Sequence, residues 1–206
     1  MSGLAEAIRR CNLQLKLDNK TEGYGNCFPN AIIQQCRRPE INNWLREKNP
    51  MGIFKSPQAL RRQVTNFALN CAHKTVTDYK KNYEAILNQT DSTWNEYWEN
   101  MERDGTWADS VFVQITAWFV GLDIQILTTS SKPNNPYISI SGNIHNPSMK
   151  AAGPPMLVGN YTNVHYQSLV PINNGLDIKT LNPTRKVIRS LDFCKKVSYI
   201  HIMEFR

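Results

Sequence analysis

The stretch that decides the fold is Gly23-Tyr24-Gly25-Asn26-Cys27-Phe28-Pro29-Asn30-Ala31-Ile32, in which a glycine-bracketed turn leads into a cysteine. Proline loses no hydrogen bond in a first helical turn, so Pro29 predicts that a helix begins close to Cys27. The N–H groups and partial positive charge of a helix N-terminus should lower the pKa of the Cys27 thiol. Gly23 and Gly25 allow turns closed to other residues, so that successive N–H groups can converge on an oxyanion beside the sulfur.

Two interpretations of this stretch stay open on these residues alone. The first is a cysteine nucleophile at a helix N-terminus, with an oxyanion hole built by the preceding turn. The second is a plain turn before a helix, with Cys27 as a small apolar side chain of the core.

The composition is that of a globular chain with one main core. The residues are 41% hydrophobic and 20% charged, as in globular proteins. A chain of 206 residues is too short for two ordinary domains to be the default. The first ten residues contain no apolar run of signal-peptide length, and the apolar stretch from Ser110 to Leu122 is too short to span a bilayer. We therefore expect a soluble cytoplasmic protein, or a secreted effector that acts in the cytosol of a host.

The five cysteines are an odd number with irregular spacing, and no Cys-x-x-Cys pair is present. A disulfide framework and a zinc site are therefore both unexpected, and we expect neither a metal nor a cofactor. Reduced thiols suit a thiol catalyst.

The formal charge of +7 is partly a property of the C-terminus. Residues 173–206 contain seven Lys/Arg against three Asp/Glu, whereas residues 104–172 contain two against three. The chain has no basic helix with interleaved aromatic residues, so we expect solvated basic surface and no nucleic-acid partner. The sequence thus predicts a main domain over residues 1–172 and a basic C-terminal extension of helix and strand, role unknown, over residues 173–206.

Capping residues predict three helices beyond Cys27. Ser56-Pro57 is a capping serine with proline in first position, and Thr93-x-x-Glu96 resembles a capping box. In Gly105-Thr106-Trp107-Ala108-Asp109, Thr106 is predicted to be the N-cap residue, and the Asp109 side chain is predicted to bond back to the N-cap backbone. These two residues would begin a buried helix that ends at Gly121. The β-branched segments 122–127 and 137–141 predict strands on either side of a loop at residues 132–136.

The second decisive element is a predicted hairpin, formed by Met156–Asn160 and Val164–Pro171 around a short polar turn. Strand side chains alternate between faces, so Asn163, His165 and Gln167 share one face. An amide oxygen beside His165 can hold the imidazole in one tautomer, which a general base requires. A polar edge-strand histidine without a role is the alternative.

These pieces together resemble the OTU (ovarian tumour) family of cysteine proteases over about residues 12–172. The likeness is carried by Gly25-Asn26-Cys27-Phe28, by Gly105-Thr106-Trp107-Ala108-Asp109 and by Asn163-Val164-His165-Tyr166-Gln167-Ser168-Leu169. The resemblance implies a papain-like α+β fold, with a small mixed β-sheet between helices, a cysteine at a helix N-terminus and a histidine on a facing strand. It also implies a monomeric thiol hydrolase that removes ubiquitin, polyubiquitin or a ubiquitin-like modifier by cleaving after the modifier's C-terminal glycine.

By this resemblance, Cys27 is the nucleophile, His165 is the base, and Tyr24-Gly25-Asn26 forms part of the oxyanion hole. The family commonly has aspartate where this chain has Tyr24, and asparagine or aspartate where it has Gln167.

The third catalytic member is therefore predicted to be Gln167, since a glutamine amide still accepts from an imidazole. Asn163 on the same face, and Asp18 or Glu22 upstream of the cysteine, stay as alternatives.

A tail that ends in two glycines needs a narrow channel with aromatic walls, for which Trp107 and Tyr166 are the candidates. The acidic residues between Glu96 and Asp104 are candidates for contacting basic residues of such a tail, although a solvated helix face also explains them.

Two rival functions follow from other features. The departures at Tyr24 and Gln167 suit a catalytically weak or inactive OTU-fold module that binds ubiquitin without cutting it. The basic C-terminal extension suits a protein that binds nucleic acid or a membrane surface.

Overall fold

A computed structural model gives the fold of residues 2–18, 25–48, 54–87, 93–161 and 165–172. Within these ranges the chain forms seven α-helices and five β-strands. In chain order they are α1 (Ser2–Arg10), β1 (Leu15–Leu17), α2 (Cys27–Cys36), α3 (Pro39–Lys48), α4 (Pro57–Asn70), α5 (Lys74–Leu87), α6 (Trp94–Glu102), α7 (Ser110–Val120), β2 (Ile124–Lys132), β3 (Asn135–Ile140), β4 (Met156–Tyr161) and β5 (His165–Pro171).

The five strands form one mixed sheet in the order β1-β5-β4-β2-β3. β2 and β4 are parallel, and the other neighbouring strands are antiparallel. β4 pairs with β5 as the hairpin pattern predicts, with Tyr161 opposite His165 at the end next to the turn. The expected α+β class, with a small mixed sheet between helices, is confirmed.

The two faces of the sheet bury different helices, because side chains alternate along each strand. Met156, Val158 and Tyr166 join the larger hydrophobic core with residues of α2 to α7. Leu157 and Leu169 point the other way and pack with α1 in a smaller core. The sheet therefore lies between α1 and the other helices, and α2 packs against the face that carries Tyr166.

The helix starts predicted at Ser56-Pro57, Thr93 and Cys27 are confirmed. The Ser56 side chain accepts a hydrogen bond from the first turn of α4 at 3.2 Å. Thr93 and Glu96 form a complete capping box at the start of α6. Cys27 is the first residue of α2. The helices α3 and α5 had no counterpart in the sequence prediction.

The start of α7 corrects the prediction for Thr106. Asp109 is the N-cap, and its carboxylate accepts from the N–H groups of Val111 at 3.0 Å and Phe112 at 2.9 Å. A short side chain reaches free N–H groups only from the residue next to the first turn, and Thr106 lies too far upstream. Gly121 ends the helix with φ 68°, as predicted.

The loop predicted at residues 132–136 is shorter in the structure. β2 continues to Lys132 and β3 begins at Asn135, and these two residues are paired across a two-residue turn at Pro133 and Asn134. The backbone hydrogen bonds of the hairpin extend both strands beyond their apolar segments.

Among the described residues, every helix falls short of the length and hydrophobicity that crossing a membrane requires. The predicted C-terminal extension, residues 173–206, lies outside the described residues.

Candidate active site

Cys27 begins α2 and has only 1% of its surface exposed. Asn26 is the N-cap residue, and Pro29 lies in the first turn, where it replaces an N–H that no carbonyl of the helix would accept. The predicted placement of the cysteine at a helix N-terminus is therefore confirmed.

The pKa of the Cys27 thiol is raised, which corrects the expectation that the helix N-terminus lowers it. Burial is the main cause, because it disfavours the charged thiolate. Hydrogen bonds from the backbone of Tyr166 and Phe28 and the charge of Arg61 act in the opposite direction but do not compensate. The free thiol is thus neutral at pH 7 and needs a base to become a nucleophile.

The turn before Cys27 packs directly against the segment between α6 and α7. Gly25 has φ +79°, and a Cβ atom at this position would lie 1.6 Å from the carbonyl oxygen of Gly105. The Asn26 side chain joins the same two segments: its Nδ2 donates to Asp104 Oδ1 at 2.8 Å, and its Oδ1 accepts from the Gly105 N–H at 3.3 Å. The two segments therefore hold each other in position beside the thiol.

Arg61 of α4 lies behind this turn and has no exposed surface. Its guanidinium donates to Asn26 Oδ1 at 3.2 Å, to the Gly25 carbonyl at 2.9 Å and to the Met101 carbonyl at 2.8 Å. It also donates to the Thr106 carbonyl. A single buried cation thus binds both segments that flank Cys27.

Gln35, near the other end of α2, attaches this helix to the sheet. Its amide nitrogen donates to Ser168 Oγ at 2.7 Å and to the Leu169 carbonyl at 2.8 Å, both on β5. Its amide oxygen accepts from the Leu157 N–H of β4 at 2.9 Å and from Arg38 at 2.7 Å. All four hydrogen-bonding positions of the amide are used, so the helix that carries Cys27 has one fixed position on the strand that carries His165.

His165 is the first residue of β5, half-buried, and Gln167 shares its face of the strand. The hydrogen bond between the Cys27 sulfur and the backbone of Tyr166 brings the thiol to the residue that follows His165. The structure therefore brings the predicted nucleophile close to the beginning of the strand that carries the predicted base.

Gln167 has 2% of its surface exposed, and its Nε2 donates to the Asp18 carbonyl at 3.3 Å. Its Oε1 is buried and has no hydrogen-bond partner among the described residues. The Asp18 carboxylate, an alternative third member, accepts from Ser168 Oγ at 3.0 Å.

The two candidate channel residues are in different environments. Trp107 is 47% exposed and lies two residues after Gly105, which contacts the turn before Cys27. Tyr166 is 8% exposed and its ring packs against Phe28, with ring centroids 5.0 Å apart. Strand alternation directs its ring into the core beneath α2, and its role as a channel wall stays a prediction.

Three predicted residues lie outside the described residues: Tyr24 of the oxyanion turn, and Asn163 and Glu22 as alternative third members. Within the described ranges, no group of three or more His, Cys, Asp or Glu side chains is placed to hold a metal ion.

Sequence reasoning missed Arg61 and Gln35, although a signal for both was present. Arg61 precedes Val64 by three residues, and Gln35 follows Ile32 by three, so both polar residues fall on the apolar stripe of their helix. A charged or amide side chain on a buried stripe needs specific partners, and its presence there indicates a fixed polar contact.

The chain is similar in sequence to "OVARIAN TUMOR DOMAIN-containing deubiquitinating enzyme 9" of Arabidopsis thaliana. The two are 27% identical over 165 residues, which are 80% of this chain and 38% of the relative. The chain thus spans less than half of that relative's length. No family model matches the chain.

Two solved structures have a similar fold. The OTU domain of OTUD1 matches with a TM-score of 0.52 and 14% sequence identity, over 82% of this chain and 93% of that domain. An OTU deubiquitinase from Wolbachia pipientis wMel, solved bound to ubiquitin, matches with a TM-score of 0.50 and 15% identity, over 78% of this chain and 98% of that one.

Proposed function

We propose that the chain is a cysteine-dependent deubiquitinase of the OTU family, because its sequence is similar to an OTU-domain deubiquitinating enzyme and its fold to OTU domains. It would hydrolyse the isopeptide or peptide bond after the C-terminal glycine of ubiquitin through a thioester intermediate. The observation that carries this proposal is the contact between the Cys27 sulfur and the β5 backbone next to His165. Cys27 lies at a helix N-terminus, after a turn whose Gly25 carbonyl is bound by Arg61.

In the first half of the proposed reaction, His165 takes the proton of the Cys27 thiol, and the sulfur attacks the glycine carbonyl carbon. The electron pair moves to the carbonyl oxygen, and backbone N–H groups around Asn26 and Cys27 hold this oxyanion. When the oxyanion collapses, the carbon–nitrogen bond breaks, and His165 gives its proton to the leaving lysine amine.

In the second half, His165 deprotonates a water molecule that attacks the thioester carbon. The sulfur then leaves and recovers a proton from His165, which returns the thiol to its starting state. The raised pKa of Cys27 makes the base indispensable, because burial keeps the sulfur protonated until His165 acts.

Gln167 is proposed as the third member. Its buried Oε1 lacks a hydrogen-bond partner among the described residues, and its side chain shares the face of His165. An acceptor there would select the imidazole tautomer whose other nitrogen faces the thiol. Its loss would slow catalysis while leaving nucleophile and base in place.

The proposed substrate is ubiquitin, and Trp107 is the proposed contact for its C-terminal tail. This side chain is a large exposed aromatic two residues after Gly105, whose backbone contacts the turn that precedes Cys27. The Wolbachia enzyme of similar fold was solved bound to ubiquitin, which makes ubiquitin the first substrate to test.

The second candidate is a module that binds ubiquitin without cleaving it. The observation that favours it is the burial of the Cys27 thiol, which leaves 1% of the residue exposed. In that case the cysteine would be a core residue of α2.

One experiment separates the two candidates: incubation with ubiquitin that carries a thiol-reactive group at its C-terminus, followed by intact mass spectrometry. The enzyme should gain the mass of one ubiquitin, and Cys27→Ala should abolish the adduct. The matched control is Cys71→Ala, which removes a half-buried free thiol and should leave the adduct unchanged. Binding of ubiquitin without an adduct would favour the module, and neither adduct nor binding would reject both.

A further inference from the structure

Arg61 is a fully buried cation whose hydrogen bonds are directed at the segments beside the thiol. Three of its four acceptors belong to Gly25, Asn26 and Thr106, and the fourth is the carbonyl of Met101 in α6. An apolar side chain would fill a core position at lower cost, because burial of a guanidinium is expensive. The charge is therefore retained where it organises the two segments that flank Cys27.

The bond from Arg61 to the Gly25 carbonyl fixes more than one atom. The peptide unit between Gly25 and Asn26 is planar and trans, so its carbonyl and its N–H point in opposite directions. When the Gly25 carbonyl points at the buried guanidinium, the Asn26 N–H must point away from it. Rotation of this peptide would reverse the N–H and remove the bond to Arg61.

The glycine makes such a rotation easy, because Gly25 sits at φ +79° and glycine adopts both signs of φ. The turn therefore needs an outside group to select one orientation. Arg61 contacts both ends of the peptide, through the Gly25 carbonyl at 2.9 Å and the Asn26 side chain at 3.2 Å.

The guanidinium itself is held in place by its surroundings. It lies over the ring of Phe112, with its central carbon 5.5 Å from the ring centroid. Burial lowers the pKa of the Arg61 guanidinium, and the carboxylate of Asp104, which also accepts from the Asn26 side chain, acts in the opposite direction and favours the charged form. A planar fork with several donors can serve these acceptors together, and a lysine ammonium cannot reproduce that geometry.

We propose that Arg61 is a positioning residue that locks the Gly25–Asn26 peptide so that the Asn26 N–H serves as an oxyanion-hole donor. This inference rests on the proposed deubiquitinase function. Arg61 acts through the peptide and does not touch the reacting atoms.

The test compares Arg61→Lys with Arg62→Lys, which makes the same change at the next residue. Arg62 is an exposed neighbour whose partner is Glu102 at 3.5 Å. With a fluorogenic ubiquitin C-terminal amide as substrate, Arg61→Lys should lower kcat by about 10²-fold, the usual effect of losing an oxyanion-hole donor. The KM should stay within about threefold because ubiquitin binding does not depend on this peptide. Arg62→Lys should match the parent.

Alkylation of Cys27 by iodoacetamide is the second readout, because this displacement develops no oxyanion. Its rate should change by less than about threefold in Arg61→Lys, whereas a general disturbance of the site would lower alkylation and hydrolysis together.

Equal kcat in Arg61→Lys and the parent would overturn the positioning role, as would a parallel loss of hydrolysis and alkylation. An Arg61→Lys chain that fails to fold would also count against it, since Arg61 would then serve the fold as a whole. A parent chain that does not hydrolyse ubiquitin amide would instead reject the proposed function, and this outcome is visible before any variant is made.

Discussion

At the scale of single residues, the approach of Gly25 to Gly105 leaves no room for a side chain. The φ of Gly25 is +79°, and a Cβ atom would lie 1.6 Å from a backbone oxygen that other contacts hold in place. Gly121 has a similar φ of +68° at the end of α7, but a Cβ atom there would meet nothing within 4 Å. Substitution of Gly121 therefore introduces backbone strain alone, whereas substitution of Gly25 introduces the same strain and a steric clash.

We predict that Gly25→Ala destabilises the protein by at least about 2 kcal/mol more than Gly121→Ala. Both variants incur the left-handed penalty of about 1 to 2 kcal/mol, and only Gly25→Ala adds a backbone clash. Urea unfolding measures the difference. Because displacement of the turn by about 1 Å would move the proposed oxyanion donors, Gly25→Ala should also lower kcat of the proposed ubiquitin hydrolysis by about 10²-fold. Equal stability of the two variants would contradict the close approach.

At the scale of elements, Gln35 is the polar contact between the helix that carries Cys27 and the hairpin that carries His165. Both donors and both acceptor positions of its amide are used, and each partner is buried or partly buried. The neighbouring residue Gln34 has the same side chain, but its Oε1 has no hydrogen-bond partner among the described residues.

We predict that Gln35→Met lowers the free energy of unfolding by about 2 to 4 kcal/mol, because it removes the acceptor of the buried Leu157 N–H and the amide donor to Ser168 Oγ and the Leu169 carbonyl. Gln34→Met should cost less than about 1 kcal/mol. Denaturant titration of both variants gives the comparison. A Gln35→Met chain as stable as Gln34→Met would mean that α2 is positioned by apolar packing alone.

The elements also show where sequence patterns work. The starts of α4 and α6 were predicted because Ser56 and Thr93 carry the capping oxygen themselves. α3 and α5 begin without a capping serine or threonine, at Pro39 and Lys74. Their buried residues, such as Ile41 of α3 and Val76 of α5, pack against the common core. Tertiary packing stabilises such helices, so their local sequence contains only a weak helix signal.

At the scale of the whole molecule, the larger core encloses the thiol of Cys36 as well as that of Cys27. Cys36 has no exposed surface, and burial raises its pKa to about 12. In the unfolded chain the same thiol titrates near its ordinary value of 9.0. The folded state therefore keeps a proton that the unfolded state loses between about pH 9 and pH 12.

We predict that this thiol makes the protein less stable as the pH rises through that window. The unfolded state binds fewer protons there, so the free energy of unfolding falls by up to about 1.4 kcal/mol per pH unit from this group. Below pH 9 both states are protonated, and the contribution is constant. The decline measured by urea unfolding between pH 9 and pH 11 should be smaller in Cys36→Ala than in the parent. Equal slopes would show that Cys36 is not held neutral by burial.

The sequence by itself determined the features that depend on residues a few positions apart. Pro29 and the glycines before it marked the start of α2, alternation marked the β4–β5 hairpin, and the capping residues marked α4 and α6. Local hydrogen bonds and side-chain periodicity decide these features, so they are visible in a short window.

Only the tertiary structure decided the environment of the site. The pKa of Cys27 depends on how deeply the packed core buries it, and this reversed the direction expected from the helix N-terminus. The partners of Arg61 lie 35 to 45 residues away along the chain, so no local pattern names them. Burial and long-range hydrogen bonds exist only once the elements are assembled, because they depend on which surfaces are removed from water together.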